Sequence, residues 1–264
     1  MLQIPQELID QFRDKKVMLF VGSGCSKDAG FPSWKELIDE MKRLFDDQGY
    51  DTAGQISGYI KRSDFKRAAK GLHDLDADLY RRLILRQIDP PNYRGHIPSW
   101  YRYIDLLCAP VVATTNWDNV IEDATSYRRM HWLTDPRSLL EQRQSNRRSV
   151  FHVHGHIQNF DTIVHNKDDY DRFNGAEGDE ARRYLGRLAE GYSFLFVGYS
   201  LADPFITDIV NDMSRNWKAQ PDFFKLEPNP TDESRRIARE EHGLTLVPYD
   251  KEVNRAGFAG GWLV

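Results

Sequence analysis

The sequence predicts an α/β fold: a Rossmann-like parallel sheet with helices on both faces and a small helical insertion. Five short apolar runs predict buried strands, at residues 17–21, 110–115, 150–154, 194–197 and 244–247. Continuous rather than alternating apolar runs are typical of parallel strands covered on both faces. Helical stretches separate the runs, and this alternation specifies a parallel sheet whose ligands bind beyond the carboxyl ends of its strands.

The composition is that of one ordinary globular domain, which we expect to span residues 1–264. Hydrophobic residues make up 40% of the 264 residues and charged residues 29%, with a net charge of −4. Acids and bases are interspersed, so no general attraction for nucleic acids or membranes follows. No run of about 18 apolar residues occurs. We therefore expect a cytoplasmic protein that neither binds nucleic acid directly nor enters a membrane.

The two cysteines, Cys25 and Cys108, lie far apart and form no CxxC pair. A zinc ribbon needs four thiolates, so this chain cannot build one. A disulfide is not expected in a cytoplasmic protein.

Helical patterns fill the first third of the chain. Ser33 and Glu36 have the spacing of a capping box at the start of a helix. Further along, an apolar stripe within an otherwise polar stretch predicts a helical insertion at about residues 50–101. Its members are Leu72, Leu75, Leu79, Leu83, Ile84 and Ile88.

The first loop after a strand contains Gly22, Ser23, Gly24, Cys25 and Ser26. Glycines there let the backbone approach a diphosphate with its amides facing the anion. The loop lacks the dehydrogenase GxGxxG spacing, because Lys27 stands at the third glycine position, and it contains no GxxxxGK[ST] motif. A tight turn without a ligand is the alternative interpretation.

The second loop places Asn116 and Asp118 directly after the second strand. An amide and a carboxylate at the ligand edge of the sheet can fix a carboxamide or a ribose hydroxyl. The alternative is that these residues cap the helix that follows.

The third segment contains His152, His154 and His156, which a continuous strand would place on one face. Metal binding is disfavoured, because no acidic or cysteine ligand accompanies the histidines at metal-like spacing. His154, at the strand end before a glycine, is suited to proton transfer near neutral pH. We expect His152 to be a core residue.

The fourth loop contains Gly198, Tyr199 and Ser200, followed by Asp203 and Pro204 at the start of a helix. Its amides are placed to meet the far half of a dinucleotide. A plain strand-to-helix turn is the alternative.

Together the four segments resemble the motifs of the sirtuin superfamily, and their sequences in this chain are GSGCS, TTNWD, HVHG and GYS. Two departures stand out. The first loop continues as Phe31-Pro32-Ser33 without the aspartate and arginine of the protein deacylases, and the zinc ribbon is absent. The chain is more similar to the sirtuin-like NADases of bacterial anti-phage systems, which typically carry TTNxDxxIE, HGxI and GYSLxDP.

This resemblance implies that NAD⁺ is the substrate, that no metal is needed, and that water takes the ADP-ribosyl group. It implies catalytic roles for His154, as general base, and for Asn116, on the ribose or the water, with Asp118 on the nicotinamide. The glycine amides would meet the diphosphate, the fourth loop the adenosine, and Cys25 would pack rather than react. The implied NAD-binding set is Gly22, Ser23, Gly24, Cys25, Ser26, Asn116, Asp118, Gly198, Tyr199 and Ser200.

Two other functions stay open. An NAD-dependent protein deacylase would use the same bond cleavage with an acyl-lysine acceptor, and a sensing module would bind NAD or ADP-ribose without turnover. For the NADase, the resemblance implies a homo-oligomer or a separate sensor protein of a defence system.

Overall fold

A seven-stranded parallel sheet forms the centre of the protein in the computed structural model. The structure describes residues 4–89, 97–130, 148–175, 186, 191–199 and 222–250. The strands are β1 (Val17–Val21), β2 (Val111–Thr114), β3 (Arg128–Met130), β4 (Ser149–His152), β5 (Ser193–Val197), β6 (Phe223–Pro228) and β7 (Leu244–Tyr249). The predicted α/β fold with a parallel sheet is confirmed.

The strand order, β3-β4-β2-β1-β5-β6-β7, puts β1 in the middle of the sheet. Strands β2, β4 and β3 lie on one side of β1, and strands β5, β6 and β7 lie on the other. The crevice between β1 and β5 is therefore the topological switch point, where open α/β sheets bind ligands. Val21 is in register with both Thr114 and Val197, so the three following loops begin at one level.

Both faces of the central strand are buried. Leu19 and Val21 belong to one hydrophobic cluster and Met18 and Phe20 to another, as the alternation of side chains along a strand requires. This is why the sequence of β1 is apolar throughout.

The helices are α1 (Gln6–Arg13), α2 (Ser23–Asp28), α3 (Trp34–Asp47), α4 (Gln55–Lys61), α5 (Phe65–Leu75), α6 (Ala77–Ile88), α7 (Arg102–Leu106), α8 (Val120–Ala124), α9 (Lys167–Asn174) and α10 (Asp232–His242). Short 3-10 turns occur at Ser99–Tyr101 and Phe160–Thr162. The capping box of Ser33 and Glu36 is present at the start of α3. Across the described ranges, none of the helices is long and apolar enough to cross a membrane.

The predicted helical segment contains α4, α5 and α6. Asp64 and Asp76 accept backbone hydrogen bonds at the starts of α5 and α6. Leu72 and Ile84 of the predicted stripe are fully buried, whereas Leu75 is 40% exposed at the end of α5. The buried residues belong to the same cluster as Val112 of the sheet, so these helices share the core of the main domain. That they form an insertion at about residues 50–101 stays a prediction.

Three local features differ from the sequence expectations. The first loop forms the short helix α2 from Ser23 rather than an open turn. The strand β4 ends at His152, two residues before the predicted end. Strands β3 and β6 lacked a signal, because the first is three residues with two arginines and the second contains a lysine and a glutamate.

Candidate functional site

The first and fourth loops meet backbone to backbone at the switch point. The amide of Gly22 donates to the carbonyl of Val197 at 2.8 Å, and the amide of Gly24 donates to the carbonyl of Gly198 at 2.9 Å. A Cβ on Gly22 or Gly24 would stand 2.7 Å from the oxygen of Gly198, closer than real contacts allow. Gly198 itself has φ +74°, a conformation that favours glycine. The glycines therefore allow the two loops to approach each other.

This contact decides which amides remain for a diphosphate. The amides of Gly22 and Gly24 already donate to carbonyls of the fold. The amide of Ser23 donates to none of the acceptors in the described ranges, and Ser23 is exposed at the first position of α2. Of the three amides that the resemblance implies, Ser23 thus presents the one that is still available to an anion.

Asn116 is held on three sides. Its backbone amide donates to Thr114 Oγ1 at 3.0 Å and its backbone carbonyl accepts from His152 Nδ1 at 2.7 Å. Its side-chain Nδ2 donates to the carbonyl of Gly22 at 3.1 Å and to Ser26 Oγ at 2.8 Å. A carbonyl only accepts, so the NH₂ group must face Gly22. The amide oxygen Oδ1 accepts none of these bonds, and within the described part of the chain it is available to a ligand.

Ser26 connects Asn116 to Asp118. The Ser26 hydroxyl accepts from Asn116 and donates to Asp118 Oδ2 at 2.7 Å. Asp118 Oδ1 accepts the backbone amide of Val120 at 3.0 Å, at the start of α8. Burial raises the pKa of Asp118, while the hydrogen bonds from Ser26 and Val120 lower it. Asp118 is thus a capping residue of α8 and also the hydrogen-bond partner of Ser26.

Two threonines of the TTNWD segment join the loops, although the sequence analysis assigned a role to neither of them. Thr114 Oγ1 donates to the carbonyl of Val21 at 2.6 Å, which links β2 to the end of β1. The hydroxyls of Thr115 and Tyr199 lie 3.1 Å apart, which links the second loop to the fourth. Position alone, next to Asn116, is the signal by which Thr115 could have been found. Ser200 and residues 201–204 lie outside the described residues.

His154 lies in an aromatic enclosure beyond the end of β4. Its ring is edge-on to Tyr170, at 5.4 Å between centroids, and to Phe173, at 5.0 Å. Burial, with a smaller contribution from the charge of Lys66, lowers the pKa of His154 to about 3. Burial therefore favours the neutral ring, which is the form that can accept a proton, and the role of His154 as general base stays a prediction.

The three histidines do not share one face, because β4 ends at His152. His152 and His156 have their rings 4.5 Å apart, and both approach Glu122 of α8. The sequence has no acidic residue at metal-like spacing from these histidines, but the structure brings Glu122, which is 30 residues from His152 in the chain, against two of them. Only the packing of α8 against β4 brings them together.

Cys25 is buried under the contact between the two glycine loops. A Cβ on Gly198 would stand 2.7 Å from its sulfur. Burial, with smaller effects of Asp28 and Asp118, raises the pKa of the Cys25 thiol far above its usual value. The thiol therefore stays protonated and packs, because the nucleophilic form is the thiolate.

A SIR2-like domain matches residues 110–247, just over half of the chain. Defense-associated sirtuin 2 of Bacillus subtilis is 22% identical over 255 residues, which cover 92% of this chain and 24% of that protein. The protein named NAD(+) hydrolase ThsA of Enterococcus faecium is 24% identical over 203 residues, 74% of this chain and 39% of that protein.

A second protein named NAD(+) hydrolase ThsA, from Bacillus cereus, is 21% identical over 210 residues, 78% of this chain and 41% of that protein. The chain thus spans less than half the length of these curated relatives. The matched SIR2-like region begins just before β2 and contains the Asn116 loop, the three histidines and the Gly198 loop. The chain belongs to the SIR2-like domain family.

Proposed function

We propose that this chain cleaves the nicotinamide–ribose bond of NAD⁺ with water, and that the resulting loss of NAD serves defence against phage. Two of the similar proteins are named NAD(+) hydrolases and the third a defense-associated sirtuin. The resemblance of the four loops to sirtuin motifs supports the same substrate.

The fixed orientation of Asn116 is the observation that carries this proposal. Four hydrogen bonds hold its backbone and its NH₂ group, and they leave Oδ1 as a positioned acceptor. An acceptor of this kind suits a water molecule or a ribose hydroxyl, both of which donate. Holding a nucleophile in one orientation removes an entropic part of the barrier.

The dinucleotide would cross the switch point between β1 and β5. The exposed amide of Ser23 would meet the diphosphate, with Gly22 and Gly24 allowing the backbone to come close. Gly198, Tyr199 and Ser200 would contact the adenosine half. The nicotinamide end would lie toward Asn116 and Asp118, whose carboxylate oxygens each keep a second lone pair for the carboxamide.

In the proposed reaction the bond between the ribose carbon C1′ and the pyridinium nitrogen breaks, and its electron pair goes to the nitrogen. The ribosyl cation resembles the oxocarbenium ion of glycoside hydrolysis. Water forms the new C1′–O bond, and one water proton leaves, so nicotinamide, ADP-ribose and H⁺ are the products. His154 is neutral and accepts that proton. A weak base suffices, because water that has bonded to a cation is strongly acidic.

Assembly and location belong to the same proposal. We infer that the active form is a homo-oligomer, or a complex with a separate sensor protein, and that it acts in the cytoplasm, where its substrate is found.

The test separates the assemblies of the protein from its monomer by size and incubates each with NAD⁺ alone or with NAD⁺ plus an acylated peptide. The small-molecule products of each reaction are then identified. We expect free nicotinamide and ADP-ribose in equal amounts without peptide. His154→Ala and Asn116→Ala should abolish release without unfolding, whereas Glu40→Gln on the surface of α3 should not. O-acyl-ADP-ribose formed only with peptide would indicate a deacylase, and tight binding without turnover in every assembly would indicate a sensing module.

A further inference from the structure

A group of charged and polar side chains, two of them buried and two half-buried, lies between α8, β3 and the end of β4. We call it the Glu122 cluster, and it consists of Glu122, Arg129, His152 and His156. His152 Nε2 lies 2.9 Å from Glu122 Oε1, and Arg129 Nε lies 3.3 Å from the same oxygen. His156 Nε2 is 4.0 Å from it. None of these residues belongs to the NAD-binding set implied by the resemblance.

Both nitrogens of the His152 ring lie beside hydrogen-bond acceptors. Nδ1 lies 2.7 Å from the carbonyl oxygen of Asn116, and a carbonyl only accepts. Nε2 faces the carboxylate of Glu122, which also accepts. Both ring nitrogens therefore face acceptors, and His152 bridges the carbonyl of Asn116 and the carboxylate of Glu122. Burial raises the pKa of Glu122, but the hydrogen bond and charge of His152 outweigh burial and hold it below its usual value.

The surrounding groups balance these charges. Arg129 adds a second positive charge, and Asp118 adds a second negative charge close enough to act on both His152 and Glu122. Arg129 Nη1 also donates to His156 Nδ1 at 2.7 Å, and the amide of Gln158 donates to the same nitrogen at 3.1 Å. His156 therefore accepts at Nδ1 and carries its proton at Nε2.

This protonation argues against a cation in the cluster. Glu122, His152 and His156 offer ligand atoms within 4.8 Å of one another, a set that zinc enzymes use. A metal ligand must be a bare nitrogen, however, and the two donors at Nδ1 of His156 leave its proton on Nε2, the atom that would face the ion. The guanidinium of Arg129 shares the carboxylate as well. An ion-pair network fits the contacts, and a metal site does not.

The cluster contacts the proposed active site at the Asn116 loop, where His152 meets the backbone of Asn116 and Arg129 Nη2 donates to Asn119 Oδ1 at 3.1 Å. His152 holds the carbonyl of Asn116, and the amide of Ile157 holds the next carbonyl, that of Trp117, at 2.9 Å. Turning the Asn116 peptide would turn its side chain away from Gly22 and Ser26. The position of Oδ1 is therefore connected to the position of the His152 ring.

We propose that His152, held by Glu122, is a positioning residue that fixes Asn116 for cleavage of NAD⁺. This inference rests on the proposed function. Because Asn116 acts on the reacting ribose or water, loss of positioning lowers kcat and leaves KM for NAD⁺ nearly unchanged. A misplacement of about 1 Å can cost on the order of 10²-fold in rate.

Two variants of His152 separate positioning from simple pairing with Glu122. In His152→Asn the side-chain NH₂ stands near the place of Nδ1, so the donor to Asn116 is kept and the bond to Glu122 is lost. In His152→Gln the NH₂ reaches the place of Nε2, so the reverse holds. We expect kcat to fall on the order of 10²-fold in His152→Gln and much less in His152→Asn. Glu40→Gln serves as the surface control.

Equal kcat values in the two variants, a higher kcat in His152→Gln, or changes confined to KM would overturn the proposal. Glu122→Gln is the milder second variant: it keeps an acceptor for Nε2 and should lose less kcat than Glu122→Ala.

Nitrogen-15 NMR of the wild-type histidines tests the cluster without any variant or any turnover. We expect both nitrogens of His152 to carry protons at about pH 7.5, with no change on adding Zn²⁺. A bare nitrogen, or a Zn²⁺-induced shift at His152 and His156, would refute it. Absence of NAD⁺ cleavage by the wild type in every assembly would instead refute the proposed function, with the NMR result still valid.

Discussion

Replacing Gly198 with alanine should separate the first and fourth loops. Gly198 has φ +74°, and a left-handed backbone costs a non-glycine residue about 1–2 kcal/mol. The new Cβ would stand 2.7 Å from Cys25 Sγ and 2.8 Å from the backbone nitrogen of Cys25. Overpacking of this kind typically costs about 1–3 kcal/mol more. We therefore expect a loss of about 2–5 kcal/mol of unfolding free energy.

Gly243→Ala is the matched control for this change. Gly243 ends α10 with φ +61°, and a Cβ there would meet nothing within 4 Å. It should lose only the backbone contribution, about 1–2 kcal/mol. The difference corresponds to a Tm about 2–12 °C lower for Gly198→Ala than for Gly243→Ala. Calorimetry measures both, and equal Tm values would refute the idea that close contact of the loops requires Gly198.

Two further predictions follow from burial. Cys25 should resist iodoacetamide in the folded protein while the half-buried Cys108 reacts, because burial raises the pKa of the Cys25 thiol; mass spectrometry would show equal labelling if this were wrong. His154 should make stability depend on pH. Its folded pKa of about 3 lies below the unfolded value, so the unfolded chain binds the extra proton. This contribution is intact above about pH 6.5 and is lost as pH falls, by up to about 1.4 kcal/mol per pH unit. Urea unfolding at about pH 7 and pH 5 measures this change in unfolding free energy. The change should be smaller in His154→Asn than in the wild type, and an equal change in both proteins would contradict the burial argument.

The sequence predicted most of the sheet because strands that are buried on both faces have continuously apolar sequences. Residues 17–21 and 194–197 needed no other information than their own composition. The edge strand β3 has a polar sequence, Arg128-Arg129-Met130, and its pairing with β4 comes from the neighbour rather than from its own composition. Edge strands and strands with buried charge, such as Lys225 of β6, escape such patterns for this reason.

The sequence by itself determined which loops come together, because the carboxyl ends of parallel strands share one edge of the sheet. The order of strands and loops along the chain therefore indicates Asn116, Asp118 and Gly198 as neighbours. Only the tertiary structure decided which atoms of those residues are engaged. That Asn116 presents Oδ1, that Gly22 and Gly24 use their amides within the fold, and that Glu122 meets His152 depend on distances between segments far apart in the chain. Hydrogen bonds are directional and short, so they are settled by packing and leave no periodic trace in the sequence.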